Sequence, residues 1–207
     1  MYERYLKRFL EILFSLIGIV LLSIPMLIVA LIIKLDTPGP VLFKQKRIGI
    51  HKSEFKILKF RSMKTDVPKD VPTHLLAGSE SFMTGWQKFM RKASIDELPQ
   101  LFNILKGDMS IIGPRPALWN QYDLVEERDK YGANDVRPGL TGWAQINGRD
   151  ELEIPIKAKF DGEYIDNFSF VFDCKCFFGT IIKVLKSDGV VEGTRDDITP
   201  EDDEVTF

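Results

Sequence analysis

Only two cysteines and two histidines occur in 207 residues. Two cysteines cannot build a structural zinc site alone. Cys174 and Cys176 read as small buried or lipid-facing apolar residues in a reducing compartment. No Gly-x-x-x-x-Gly-Lys-[Ser/Thr] phosphate loop occurs, and no His-Glu-x-x-His metal motif. Excess positive charge is missing too: the net charge is -2, which removes whole-molecule attraction to nucleic acid. No internal repeat is visible.

Charge is present but unevenly placed. Residues 34–64 carry nine Lys or Arg against Asp36 and Glu54, whereas residues 186–207 carry eight acids against Lys186 and Arg195. The length fits one domain with one core. An apolar fraction of 44% is ordinary for such a domain, so its distribution carries the information. The chain divides into an apolar segment (1–35), a body (36–186) and an acidic tail (187–207).

Phe9 to Ile33 is one apolar run, interrupted by Glu11, Ser15, Gly18, Ser23 and Pro25. It is long enough to cross a bilayer. Arg4, Lys7 and Arg8 precede it; Lys34, Lys44, Lys46 and Arg47 follow it. The positive-inside rule draws both ends to the cytoplasmic face. Pro25, near the middle, lacks an N–H and breaks or kinks a helix, and Ser23 can bond the freed carbonyls. These features fit a re-entrant helix-break-helix. A single span with a tolerated proline fits them about as well.

The body reads as α+β and mostly helical. Val41–Arg47 and Glu54–Phe60 alternate as the strands of a small hairpin, joined by Gly49–Ser53. Residues 64–81 read as a loop and Trp86–Arg91 as a short amphipathic helix. The next helix has Asp96 as N-cap and Pro99 in its first turn. Its apolar stripe is Leu98, Leu101, Phe102 and Leu105, and Gly107 stops it. Gly113-Pro-Arg-Pro116 is a rigid turn that aims Arg115. Residues 117–131 read as a charged surface helix and Val136–Arg149 as a glycine-punctuated loop. Phe168–Leu185 is an aromatic-rich helix suited either to a membrane interface or to the core.

A carboxylate at a helix N-terminus is held ionised, and the same N–H groups attract phosphate. Around Asp96 the sequence offers Lys59, Arg61, Arg91, Arg115, Arg137 and Arg149, several of them in turns. Cations around a carboxylate make a workable phosphoryl-transfer site. Glu97 can serve Mg²⁺. Adjacent carboxylates do not suit glycoside hydrolysis, which needs two acids facing across a sugar.

Several motifs in order resemble one family: Lys59-Phe-Arg-Ser-Met63, Ser94-Ile-Asp-Glu-Leu-Pro-Gln100, Lys106-Gly-Asp-Met-Ser110, Gly113-Pro-Arg-Pro116 and Val136–Arg149. They are similar to the bacterial sugar transferases, the small monotopic phosphoglycosyl transferases, over about residues 1–186. The resemblance implies a catalytic Asp96-Glu97 dyad with Mg²⁺ as cofactor and Asp96 as nucleophile. It implies a UDP-sugar donor, an undecaprenyl phosphate acceptor and UMP as product. It places the protein in the bacterial inner membrane, on its cytoplasmic face, in contact with lipid, with no nucleic acid partner and a homodimer left open. By the same resemblance Lys59, Arg61, Arg91 and Arg115 serve phosphate. Arg137, Gln145, Asn147 and Arg149 shape the donor pocket, and Asp173 contacts the nucleotide unless it merely caps the last helix. The family breaks its membrane helix at a Ser-Pro pair, from which this chain departs by reading Ser23-Ile24-Pro25, and it commonly has Asp where this chain has Glu11. The chain reads as the family's short form.

Cysteines engineered beside Tyr2 and Pro40 should both react with a thiol reagent admitted only to the cytoplasmic side. Periplasmic labelling at Tyr2 would favour the single span.

Overall fold

The computed structural model describes residues 2–65, 79–148 and 152–186. Most of the 64–81 loop, Arg149 and the acidic tail lie outside the described residues.

After a short turn at Tyr2–Leu6, helix α1 runs from Lys7 to Asp36. Thirty residues rise about 45 Å at 1.5 Å each. Its buried residues are Glu11, Ser15, Met26, Val29 and Ile33. Gly18 lies on the same stripe, where an added Cβ would sit 3.2 Å from Leu101. Steps of three and four residues keep this stripe on one face along the whole helix. Away from it, Val20, Leu21, Ile24, Leu27, Leu31 and Leu35 are each at least 60% exposed. The helix is therefore not a core helix: its apolar majority faces outward.

The expected division at Ser23–Pro25 is absent, and α1 continues through Pro25 as one helix. Proline withdraws one N–H from the ladder. The Ser23 hydroxyl donates to the Val20 carbonyl at 2.8 Å within that turn, a local adjustment that helices in lipid use.

The hairpin forms as its alternation predicts. Strands β1 (Leu42–Ile48) and β2 (Glu54–Phe60) pair antiparallel from Leu42 opposite Phe60 to Ile48 opposite Glu54. Helix α2 (Gly85–Lys92) follows, with Thr84 and Gln87 forming a reciprocal capping box. Helix α3 (Gln100–Lys106) ends at Gly107, left-handed at φ +103°. Its orientation keeps Leu98 and Leu101 of the expected stripe against the apolar clusters but not Phe102. Phe102 is exposed, while Gln100, Asn103 and Ile104 are buried. Asn103 works as a backbone surrogate: it accepts from Leu58 N–H and donates to the Lys56 carbonyl, both at 2.9 Å. Sealing the β2 edge takes an amide, so the polar side of α3 turns inward.

The stretch expected to be loop contains regular structure. Strand β3 (Ser110–Ile112) pairs parallel with β4 (Gly139–Thr141), and α5 (Trp143–Ile146) follows at once. Between them lies α4 (Tyr122–Asp129), shorter than the charged helix expected over 117–131. The glycines are there for contact between backbones. A Cβ on Gly139 would lie 2.2 Å from Gly113 N, and one on Gly142 would lie 2.1 Å from Gly113 O. Helix α6 (Ile154–Asp166) had no counterpart among the sequence expectations. Helix α7 (Phe170–Lys186) closes the described chain.

Three apolar clusters join these elements. One packs Met26, Val29 and Ile33 of α1 on Phe60, Met90, Ile95 and Leu98. A second packs Phe55 and Ile57 on Ile104 and Met109. The third gathers Ile112, Tyr164, Cys176 and Phe172. Burial pushes the Cys176 thiol up to about 12, so it behaves as an apolar group. The architecture is mostly helical, with two two-stranded sheets and one long apolar N-terminal helix.

Helices α4 and α6 are tied by a buried ion pair, Arg128 Nη2 to Asp161 Oδ2 at 2.7 Å. Burial raises the Asp161 carboxyl above its ordinary value, against the attraction of Arg128. Removing one partner strands the other. Arg128→Met should cost about 3–5 kcal/mol, and adding Asp161→Leu should recover most of it. Thermal unfolding of both variants in detergent checks this; equal losses would contradict it.

Candidate active site

The chain leaves α2 through Ser94, a non-glycine residue in the left-handed region at φ +55°, and enters one tight turn at Ile95–Glu97. Ile95 and Leu98 point into the cluster shared with α1. The residues between them, Asp96 and Glu97, are thereby held on the other side of the turn. Asp96 is not the N-cap of a helix. Pro99 precedes α3, which starts at Gln100, and Ser94 makes no side-chain cap. The anionic group is accommodated by cations instead of by a helix terminus.

Those cations converge on Glu97. Lys59 Nζ, from the end of β2, lies 2.7 Å from Glu97 Oε1, and Arg115 Nη2 lies 2.9 Å from the same atom. The Glu97 side chain is 11% exposed. Burial opposes its ionisation, but Arg115 and Lys59 together outweigh that and hold the carboxyl well below the usual range. Asp96 is set differently. Among the described residues its side chain accepts one hydrogen bond, from Ser62 Oγ to Oδ2, at a long 3.5 Å. Burial raises its proton affinity and the negative Glu97 adds to that, against Lys59, Arg91 and Arg115. Glu97 is thus clamped by two cations and held in its charged form. Its neighbour Asp96 is almost buried and only loosely bonded, which leaves its oxygens open to a substrate or a metal ion.

Three expected residues and one unexpected residue therefore meet around Asp96 and Glu97: Lys59 and Arg115 by direct contact, and Arg91 by its field on Asp96. The fourth is Ser62, which stands inside the Lys59–Met63 motif but was not among the expected site residues.

Other expected ligands are committed elsewhere. Arg61 is 4% exposed and donates to the carbonyls of Ile33, Thr37 and Pro38, so it caps the C-terminus of α1. Arg137 donates to the Gly107 carbonyl beside Arg8, and Asn147 to the carbonyl of Trp143. Asp173 neither precedes nor caps α7. It lies in the first turn and binds Tyr2, Lys7 and Tyr164, while Ser169 accepts the capping bond from Phe172 N–H. Gln145 is buried with both side-chain polar atoms unpaired, beside Gly142 and hence beside the Gly113–Pro116 turn. Arg149 falls outside the described residues.

The dyad fits a hard cation. Among the described residues no group of three His, Cys, Asp or Glu gathers to form an all-protein cage. Mg²⁺ characteristically takes one or two carboxylates and completes its shell with water and substrate phosphate. Asp96, with a single long bond, has donor capacity to spare.

An acidic dyad ringed by lysine and arginine, on a body packed along a long apolar helix, defines a class of phosphate-handling transferase. The chain belongs to the bacterial sugar transferase family, whose model matches residues 2–187. Relatives include EpsL of Bacillus subtilis (strain 168), named an uncharacterized sugar transferase, 40% identical over 185 residues, covering 89% of this chain and 90% of that protein. The exopolysaccharide production protein PSS of Rhizobium leguminosarum bv. phaseoli is 40% identical over 192 residues, 87% of this chain and 95% of PSS. The UDP-N-acetylgalactosamine-undecaprenyl-phosphate N-acetylgalactosaminephosphotransferase of Aeromonas hydrophila is 41% identical over 193 residues. That alignment takes in 89% of this chain but only 45% of the relative.

Arg115→Met and Lys59→Met should each raise the titration midpoint of the Glu97 carboxyl, because burial then faces one cation instead of two. ¹³C NMR of the side-chain carboxyl carbon in detergent reads this directly. An unmoved midpoint in both variants would show that the clamp does not set the charge.

Proposed function

We infer that this chain moves a sugar 1-phosphate from a UDP-sugar to undecaprenyl phosphate and releases UMP, through a phosphosugar carried on Asp96. The reading is carried by one observation: a buried, weakly bonded Asp96 beside a Glu97 held charged by Lys59 and Arg115. The naming of the Aeromonas relative points the same way.

In the first step a carboxylate oxygen of Asp96 attacks the β-phosphorus of the donor. The bond from that phosphorus to the bridging oxygen breaks, and UMP leaves with the electron pair. In the second step a phosphate oxygen of undecaprenyl phosphate attacks the same phosphorus. The bond to Asp96 breaks, the carboxylate is restored, and the product is a lipid diphosphate sugar. Arg91 and Arg115 stand where they can attract the donor's phosphates and bring them to Asp96. Lys59 holds Glu97 in place. Asp96 and Glu97 would hold Mg²⁺, which when bound neutralises charge on the non-bridging oxygens.

The acceptor is a lipid, so the site must reach a membrane. The outer face of α1 supports that, as does α7, where Phe170, Val171, Phe177, Phe178, Ile181 and Ile182 form an exposed apolar stripe. The buried stripe of α1 runs from Glu11 near its start to Ile33 near its end, against one body. A helix docked at both ends on one body favours both of its ends lying at the same, cytoplasmic, face of the inner membrane over a crossing. The product would begin a surface polysaccharide or glycoconjugate, in keeping with the name of the Rhizobium relative.

Asp96→Asn should lower UMP release by about 10³-fold or more while leaving the protein in the membrane. Chelation of Mg²⁺ should abolish turnover, and added Mg²⁺ should restore it. A screen of UDP-sugars with undecaprenyl phosphate, scored by the nucleotide released, identifies the donor. UDP in place of UMP would show transfer of the sugar without its phosphate and overturn the reading.

A further inference from the structure

Two segments bring cations to Glu97, and the two ends of α1 grip one each. At the N-terminal end, Lys7 Nζ donates to the Ile112 carbonyl at 3.0 Å and to Tyr164 Oη at 3.1 Å, and pairs with Asp173 Oδ2 at 2.5 Å. One turn on, Glu11 accepts from the Ser110 hydroxyl. Strand β3 is thus held at both its first and last residue by the first turns of α1. It runs straight into Gly113-Pro-Arg115-Pro116, a turn with two prolines whose glycine is locked against Gly139 and Gly142. Little slack remains between Ile112 and the guanidinium that meets Glu97 at 2.9 Å.

At the C-terminal end, Arg61 donates to Thr37 O at 2.6 Å, Thr37 Oγ1 at 2.9 Å and Pro38 O at 2.5 Å. Arg61 stands two residues after Lys59, which meets Glu97 at 2.7 Å, and one before Ser62, which reaches Asp96. The same apolar cluster that seats Ile33 also seats Ile95 and Leu98 on either side of the dyad. Among the described residues no hydrogen bond or ion pair joins α1 to the side chain of Asp96 or Glu97; the helix acts through β3 at one end and β2 at the other.

We propose that Lys7 and Arg61 are positioning residues that make the seating of the membrane helix a condition for assembling the transfer site, Lys7 by placing Arg115 and Arg61 by placing Lys59. The proposal rests on the reading above only in taking Asp96-Glu97 as the reactive pair. It has a signature that general loss of stability lacks. A residue that works through Arg115 has nothing left to position once Arg115 is gone.

The test is a crossed set of double variants in lipid nanodiscs, scored by kcat for UMP release. Lys7→Met and Arg61→Met should each lower kcat about tenfold, with the KM for the UDP-sugar changed far less. Lys7→Met should add nothing to Arg115→Met but multiply with Lys59→Met. Arg61→Met should show the opposite pattern. Multiplication in all four pairs would overturn the proposal. If a methionine variant fails to enter the membrane, Lys7→Arg and Arg61→Lys take its place in the same crosses. A second readout needs no turnover. Hydrogen exchange should quicken over residues 112–117 and not 59–62 in Lys7→Met, with the reverse in Arg61→Met; equal changes in both segments would also overturn it. A wild-type protein that releases no UMP from any donor, yet shows the crossed exchange pattern, would sink the transferase reading and leave the coupling standing.

Discussion

A carboxylate taken out of water must find its positive partners or lose its charge, and Glu97 finds two. The Lys59–Glu97–Arg115 clamp draws on parts of the chain that are far apart: the end of a hairpin, a tight turn after α2, and a proline-rich turn after β3. Removing either cation would leave a buried charge partly uncompensated, which is among the costliest local defects a protein can carry. The placement of β2, β3 and the Ile95–Leu98 turn can be understood as what brings those three side chains to one point. Asp96 gains from the arrangement without being bound by it. It shares the cations' field but not their contacts, which leaves its oxygens available.

The parts of this arrangement that local pattern controls were legible in the sequence. Strand β2 was expected at the residues where it forms, because Glu54 to Ile57 alternate polar and apolar and one face is covered. The same holds for α7 to within two residues, and for Gly107 as a helix stop. Lys59, Arg91, Arg115 and the dyad were marked by motif and now stand together. What failed was whatever depends on distant partners. Arg61 carries the same charge as Arg115 and lies in an equally suggestive motif, yet it faces the carbonyls of Thr37 and Pro38. Nothing within a few residues of Arg61 announces that. Asp173 likewise looked like a cap and proved to be an anchor for Lys7 and Tyr2.

Two further misreadings have different physical origins, one in the solvent and one in the backbone. The α3 stripe was drawn on the assumption that apolar residues face inward. Beside a helix whose outer surface is almost wholly apolar, Phe102 can face outward while Gln100 and Asn103 turn in. The glycines of 136–149 were taken as marks of loop. In the structure they let two backbones approach closer than any Cβ would allow, and a parallel strand pair and a short helix follow from that contact.

The polar pair on the hidden face of α1 has a consequence for how the protein is made. Glu11 meets the hydroxyl of Ser110, 99 residues further along the chain. At about 5–20 residues per second, a ribosome needs roughly 5–20 s to deliver that partner. During this interval an apolar helix bearing a carboxylate is already at the bilayer with no body to dock on, and that carboxylate has Lys7 and Arg8 of its own helix as its protein partners. The nascent helix is thereby biased to wait at the surface of the leaflet, its acidic side turned outward. It can settle into its final depth only once Ser110 has emerged, so the order of synthesis itself delays insertion until about half of the chain has been made.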